Sequence, residues 1–408
     1  MKTTRPYPAF TVSGKAEKAL RAGHPWVYAE EISEIAGEVT NGGIADVFSS
    51  KGSYLGSGLI SLESKIRVRI LSRNANDRFD KEFFARRVRY AIDYRHTVMG
   101  KDFDCCRLIF GEADGLPGVT VDKYGDILVT QILSFGMEQR RNELFTVLAE
   151  ELKKDGVPVR GIFQRNDVAI RNLEGLDQYK GWYGNGQIPL GTETDIIITE
   201  NGLKYAVDIE NGQKTGFFLD QKYNRLAAAK IAGGKKVLDC FTHTGSFAMN
   251  AVLGGASHVT AVDVSQSAID LARSNARLNG IEDRMDFVCA DVFDLLPELC
   301  REHKDYDMII LDPPAFTKSR KTVAGAERGY KEINYRAMKL LPRGGYLATA
   351  SCSHFMPNDL FIKMINSAAA DADVQLKLVE LRRQAPDHPT LMSVPETDYL
   401  KFYIFQLV

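Results

Sequence analysis

The residues best suited to chemistry in this chain close five apolar runs in order. Asp239 follows Lys236-Val237-Leu238 and opens the turn Cys240-Phe241-Thr242-His243-Thr244-Gly245-Ser246. Asp263 ends Val259-Thr260-Ala261-Val262, 24 residues on, and Asp291 comes 28 further, after Phe287-Val288. Met308-Ile309-Ile310-Leu311 leads into Asp312-Pro313-Pro314-Ala315-Phe316, and Tyr346-Leu347-Ala348-Thr349 into Ala350-Ser351-Cys352-Ser353. A carboxylate offers two acceptor oxygens, which match a pair of hydroxyls. A thiol just past a strand end can be exposed and partly ionised, as a nucleophile requires. An apolar strand followed by a turn of small residues and a helix presents backbone N–H groups to a ligand. If the runs are parallel strands, their polar ends share the edge at which open α/β sheets bind ligands.

Each position also has a plainer reading. Asp263 and Asp291 could serve as helix N-caps, a role that favours Asp. The Thr242–Ser246 turn holds one glycine, fewer than a loop built to meet a pyrophosphate. In Asp312-Pro313-Pro314-Ala315-Phe316, two prolines fix φ and remove N–H donors, so the turn is rigid and carries an aromatic that could stack on a base. Cys352 could be a small buried residue, and Cys240, Cys289 and Cys300, in or beside apolar segments, read as structural. His388, in Ala385-Pro386-Asp387-His388-Pro389, could line a cleft or shape a turn.

The elements that must hold these residues follow from periodicity. After Gly216 a helix is followed by strands alternating with helices, which implies a parallel sheet. A hairpin, Asp195–Thr199 and Lys204–Asp208, precedes it. Residues 1–72 read as short strands with one short helix over Ala16–Arg21. Ile66-Arg67-Val68-Arg69-Ile70-Leu71 alternates apolar and basic, predicting one buried and one wet face. Between them, Asp80–Val98 has helical periodicity and carries Arg86, Arg87, Arg89 and Arg95, either phosphate contacts or a solvated face. Gly118–Gln131 reads as a hairpin turning at glycine, and Arg140–Lys153 as an amphipathic helix. The division is 1–72, 73–185 and 186–408.

The totals bound the class of protein. With 52 basic and 53 acidic residues the net charge is −1, which argues against a uniformly basic coat but leaves room for a basic face. No apolar run approaches the ~20 residues of a membrane helix. The start, Met1-Lys2-Thr3-Thr4-Arg5-Pro6, lacks the apolar core of a signal peptide. Six cysteines in 408 residues do not form a disulfide framework, which points to a reducing, cytoplasmic setting.

The ordered set resembles the class I S-adenosyl-L-methionine (SAM) methyltransferases. With Asp312-Pro313-Pro314-Ala315-Phe316, Ser351-Cys352-Ser353, Asp387-His388-Pro389 and the first seventy residues, the chain is similar over nearly its whole length to the PUA-domain family of 23S ribosomal RNA cytosine-5 methyltransferases. The resemblance implies a Rossmann-like α/β catalytic domain with a mostly parallel sheet, behind a small β-rich PUA pseudobarrel and an α+β middle domain. It implies SAM as cofactor, contacted by Phe217, Gln221, Asp239, Phe241, Thr244, Gly245, Asp263, Asp291 and Asp312. Phe217 could equally be a core aromatic at a helix start. It implies Cys352 and Asp312 as catalytic residues and RNA contacts at Pro313, Pro314 and Phe316; Arg86, Arg87 and Arg89 are candidate RNA contacts by their charge, and no metal is expected. Large-subunit ribosomal RNA is the implied partner, with no membrane, and the oligomeric state, homodimer included, stays open.

Cys352 separates two chemistries. An Asp-Pro-Pro-aromatic turn also suits methylation of a purine amino group, which needs no thiol. Carbon-5 of a pyrimidine is too weak a nucleophile to attack a sulfonium methyl directly. A thiolate added at carbon-6 makes carbon-5 enamine-like and splits one hard step into easier ones. Uracil-5 methylation uses the same logic, and a non-catalytic RNA-binding protein on a SAM fold is the alternative of another class. Many cytosine-5 RNA methyltransferases carry a second Cys where this chain has Pro314, so the base that removes the carbon-5 proton is another group.

Overall fold

The computed structural model describes residues 5–317 and 322–408; the start of the N-terminal stretch considered above, residues 1–4, lies outside them. Contacts divide the chain into two units. One comprises Met1–Ile196, Val207–Leu219 and Pro386–Thr397; the other comprises Ile197–Ala206, Asp220–Ala385 and Asp398–Val408. Pro386–Thr397, which the sequence division counts with the last domain, thus groups with the N-terminal sheets.

The first unit holds two sheets. In the first, β1 (Ala9–Val12), β2 (Trp26–Tyr28), β3 (Ile32–Ala36), β4 (Ile44–Ser49), β5 (Tyr54–Ile60) and β6 (Ile66–Ser72) run in the order β2-β6-β5-β4-β1-β3, with helix α1 (Gly14–Arg21) between β1 and β2. Phe10, Val12, Ala16, Leu20, Val27, Val47, Ile60 and Val68 close its core. The basic face of β6 is not wholly wet. Arg69 is buried and makes two hydrogen bonds to Glu174, at 2.7 and 3.2 Å. A paired carboxylate is what makes such a buried guanidinium tolerable.

The second sheet, β7 (Cys105–Phe110), β8 (Val119–Tyr124), β9 (Ile127–Ile132), β10 (Gly161–Arg165) and β11 (Lys180–Trp182), runs in the order β11-β10-β9-β8-β7. Gly125 supplies the left-handed φ of +63° that the β8–β9 turn needs. Helix α2 (Lys81–Met99) is capped by Asp80, which accepts from the Phe83 N–H at 3.0 Å, and buries Phe83, Phe84, Val88, Ala91 and Ile92. After the short α3 (Phe135–Gln139) comes α4 (Arg141–Lys154), whose Leu144, Val147, Leu148 and Leu152 recur at helical spacing and are buried.

A hairpin, β12 (Asp195–Glu200) and β13 (Leu203–Asp208), leads into the second unit, followed by α5 (Lys222–Ala229). Then β14 (Lys236–Cys240), α6 (Ser246–Leu253), β15 (His258–Asp263), α7 (Gln266–Leu278), β16 (Met285–Cys289), α8 (Val292–Arg301), β17 (Met308–Leu311), α9 (Val323–Leu340), β18 (Tyr346–Ser351), α10 (Asn358–Ala372), β19 (Leu376–Arg382) and β20 (Lys401–Leu407) follow. The seven strands lie in the order β16-β15-β14-β17-β18-β20-β19. The first five are parallel, and β20 inserts antiparallel between β18 and β19. All four residues of β17 are fully buried, because helices cover both faces of a parallel sheet. Each such side chain contributes about 1.5–3 kcal/mol by burial. Strand order reverses direction between β14 and β17, and this switch point opens a crevice outside the strand carboxyl ends.

Candidate active site

Asp239, one residue from the end of β14, has no solvent exposure. Its Oδ2 accepts from Thr242 Oγ1 at 2.6 Å and from the Ala248 N–H at 3.0 Å, inside the first turn of α6. Its Oδ1, and the Oγ1 of buried Thr244, have no hydrogen-bond partner among the described residues. Burial pushes the Asp239 carboxyl up to about 7, and the nearby Asp312 and Asp263 act in the same direction against its two hydrogen bonds. The loop between is tightly wound. Phe241 and His243 take left-handed φ values of 66° and 49°, and Gly245, at 77°, would bring a Cβ to 3.0 Å from that of Ala272. Left-handed backbone at an aromatic residue is costly and collects at functional sites. Two buried acceptors beside helix N–H groups suit a ligand that brings positive charge and hydrogen-bond donors.

Asp263 joins this loop to the next strand. Its Oδ2 accepts from the His243 N–H and its Oδ1 from the Ser265 N–H, each at 3.0 Å. The N-cap of α7 is Ser265, not Asp263, so the capping alternative for Asp263 falls away. With about four lone-pair sites, the carboxylate keeps capacity for a diol. Asp291 does cap a helix, accepting from the Phe293 N–H at 2.8 Å at the start of α8.

Beyond β17, Asp312 Oδ1 accepts from Gln221 Nε2 at 2.9 Å, and Asn224 Nδ2 donates to Gln221 Oε1 at 2.6 Å. Pro313 is buried and Pro314 exposed. The Phe316 ring packs 4.6 Å from Tyr330, 5.7 Å from Phe293 and 6.4 Å from Phe241, so it is partly committed to the core. Phe217 is 2% exposed and belongs to Val207–Leu219, which groups with the other unit.

Cys352 is half-buried just past the end of β18. Both flanking serines are fixed: Ser351 Oγ donates to Tyr330 Oη at 3.1 Å, and Ser353 Oγ to the Thr317 carbonyl at 3.2 Å. Burial pushes the Tyr330 phenol up to about 12, aided by the nearby Cys352 and Asp312, so it stays protonated at neutral pH. Lys401, 8% exposed, donates from Nζ to the Ser353 and Tyr399 carbonyls at 2.7 and 2.8 Å. Burial lowers this amine to about 8 against the charge of Cys352 and Asp398. Neither Tyr330 nor Lys401 stands out in the sequence; the one available signal is a basic residue at the head of the apolar run Phe402–Phe405. Cys240 is fully buried, which pushes its thiol well up and unfits it as a nucleophile. Cys289, read above as structural, is exposed at the end of the edge strand β16.

On α2 the arginines differ. Arg86 is exposed and 3.1 Å from Asp77. Arg87 donates to the Leu71 carbonyl at 3.0 Å, and burial lowers its pKa. Arg89 makes hydrogen bonds of 3.0 and 2.6 Å to Asp155 and also faces Asp93. Arg95 is fully buried on Asp114, so it forms no part of a solvated face. His388 is buried too: its Nδ1 lies 2.8 Å from Asp387 Oδ1, and Asp387 Oδ2 accepts from the Arg107 N–H. Among the described residues no cluster could hold a metal ion, and no helix is long and apolar enough to cross a membrane.

Comparison with known proteins agrees with this geometry. Residues 168–405 match the family described as S-adenosylmethionine-dependent methyltransferase, and residues 10–73 match the PUA-like domain. The chain belongs to the S-adenosylmethionine-dependent methyltransferase family, with SAM as its cofactor and a PUA-like domain at its N-terminus. Among its relatives, "Ribosomal RNA large subunit methyltransferase I" of Serratia proteamaculans is 41% identical over 96% of this chain and 97% of that one. The protein of the same name from Aeromonas salmonicida is 42% identical over 96% and 97%. A candidate SAM-dependent methyltransferase from Streptococcus mutans shares the fold with a TM-score of 0.81 at 22% identity, over 98% of this chain and 99% of that one. A candidate methyltransferase complexed with SAH superposes at 0.83, also at 22% identity and over the same shares.

Proposed function

We propose that this protein methylates carbon-5 of a cytosine in large-subunit ribosomal RNA, through a covalent bond between Cys352 and carbon-6. The carrying observation is that the Cys352 thiol and the Asp312-Pro313-Pro314 turn follow neighbouring parallel strands, with Leu311 paired to Thr349. The names of the relatives support ribosomal RNA as the substrate class. When bound, SAM supplies a methyl group activated by a sulfonium. Asp239 and the loop Phe241–Gly245 would receive the cationic end of that cofactor, Asp263 the ribose hydroxyls and Asp291 the adenine amino group. Gln221 would complete the pocket, and Phe217 is a further candidate contact to the cofactor. Cys352 attacks carbon-6 while Asp312 holds protonated N3, and electron density moves to carbon-5. Pro313, Pro314 and Phe316 clamp the base, which must first leave its stack.

On this reading residues 1–72 form an RNA-binding PUA-like domain, 73–185 an RNA-facing middle domain with Arg86, Arg87 and Arg89, and 186–408 the methyltransferase domain. The enzyme works in the cytoplasm. Uracil-5 methylation by the same thiol is the second reading, favoured by the same Cys352 geometry. Incubation of the protein with RNA and SAM carrying a labelled methyl group, followed by nucleoside mass spectrometry, tests the proposal. Label in 5-methylcytidine is expected. Label in 5-methyluridine or in a methylated purine, or no label, overturns the cytosine assignment.

A further inference from the structure

Lys401 begins β20, and its antiparallel partner in β18 is Ser351. That pairing brings the base of the lysine beside the residue preceding Cys352. Its Nζ then reaches the carbonyl of Ser353, the residue following Cys352, at 2.7 Å, and that of Tyr399 at 2.8 Å. The lysine therefore runs from a backbone paired with Ser351 to an amine on the Ser353 carbonyl, the two residues that flank Cys352, while 8% exposed. A neutral amine spends both hydrogens on these two carbonyls and keeps its lone pair. An ammonium has a third hydrogen to place. A buried cation needs an anion, and a buried thiolate needs a cation.

We propose that Lys401 activates Cys352: the thiol proton passes from Sγ to Nζ, and the ammonium so formed stays beside the thiolate that attacks the pyrimidine. This rests on the reading of Cys352 as the nucleophile. The step conserves charge, since the S–H bond breaks, an N–H bond forms and the sulfur keeps the electron pair. Asp398 and Cys352 are the groups that hold the amine's proton against desolvation. Tyr330, which accepts from Ser351 Oγ at 3.1 Å, also lies near Cys352 and Asp312 and is uncharged at neutral pH. Lys401 acts through the sulfur, so it is a positioning residue in this scheme.

The test is the pH dependence of iodoacetamide alkylation at Cys352 in the full-length protein, read on the Cys352 peptide because Cys289 is also exposed. In the wild type the alkylation rate should inflect well below the ordinary thiol value of about 8.5. Lys401→Met should move that inflection up by about one unit or more, slowing alkylation near neutral pH by about tenfold, and Lys401→Arg should restore most of the shift. SAM affinity measured by calorimetry should be unchanged in Lys401→Met. A Lys401→Met profile that coincides with the wild type overturns the proposal. If Lys401→Met does not fold, a wild-type inflection at or above about 8.5 overturns it and one well below upholds it. Methylation by Cys352→Ala separates the two ideas: retained turnover defeats the nucleophile reading, whereas lost turnover with an unshifted Lys401→Met profile defeats only the role of Lys401.

Discussion

The side-chain amide of Gln221 donates to Asp312 Oδ1 at 2.9 Å, joining the segment before α5 to the turn after β17 across 91 residues of chain. Asn224 holds the other end of the same amide, so Gln221 can present only its nitrogen to the carboxylate. This places Gln221 behind Asp312. In Gln221→Ala, methylation should fall about tenfold or more, because a hydrogen bond to a charged group contributes about 1.5–3 kcal/mol. SAM affinity should fall less. Calorimetry beside single-turnover methylation checks this; an equal loss in both would assign Gln221 to the cofactor alone.

Asp239 gives a pH dependence with a definite sign. Its carboxyl titrates near 7 in the folded chain against an ordinary value of 3.8. The native state therefore holds a proton that the unfolded chain has lost between those values. The stability from Asp239 is complete below about 4, declines as pH rises toward about 7 and is absent above. A cationic ligand favours the ionised carboxylate, so SAM binding should release a proton and tighten as pH rises from about 6 to about 8. Calorimetry in buffers of different ionisation enthalpy measures that proton. Asp239→Asn should abolish the slope; a slope unchanged in that variant would remove Asp239 from the cationic end of the pocket.

Asp263 already accepts two backbone N–H groups, which fixes its orientation at the end of β15. Asp263→Ala should weaken SAM binding by about 1–3 kcal/mol. Part of that loss is expected to come from the freed His243 loop, so Asp263→Asn, which keeps the shape, should lose less. Unchanged affinity in Asp263→Ala would exclude the ribose role.

The polar ends of β14, β15, β17 and β18 were legible because each follows a run apolar enough to be largely buried, whereas β16, before Asp291, is a mostly unburied edge strand; the helix α2 was legible from its period. The ion pairs were not. Arg89 and Arg95 read as available charge, yet their partners Asp155 and Asp114 lie on other elements, out of reach of any local pattern. The same holds for Arg69 with Glu174. Lys401 escaped notice because its meaning comes from topology: β20 inserts beside β18, although some fifty residues separate them in sequence.

These pairs sharpen the RNA tests. Arg86→Glu alters the exposed arginine at the cost of one ion pair, to Asp77, and should weaken RNA binding while lowering its salt dependence. Arg89→Glu would crowd Asp93 and Asp155 with a third acid, so its loss of binding would mix with loss of stability. Removal of residues 1–72 should weaken RNA binding and leave SAM binding intact. Filter binding across a salt series checks both; an Arg86→Glu curve superposing on the wild type would move the phosphate contacts elsewhere.

The central claim is that Cys352 forms a bond to carbon-6 of the target base. RNA carrying 5-fluorocytosine at the target should become trapped on the wild-type protein, because fluorine blocks loss of the carbon-5 proton and the adduct cannot resolve. The measurement is peptide mass spectrometry of the denaturation-resistant adduct formed with SAM. The expected result is a mass shift on the Cys352 peptide, absent without SAM and absent in Cys352→Ala, which should still bind SAM. A Cys352→Ala protein that methylates RNA at near-normal rate, with no adduct on the wild type, would contradict the covalent mechanism and return Asp312-Pro313-Pro314-Ala315-Phe316 to amino-group chemistry.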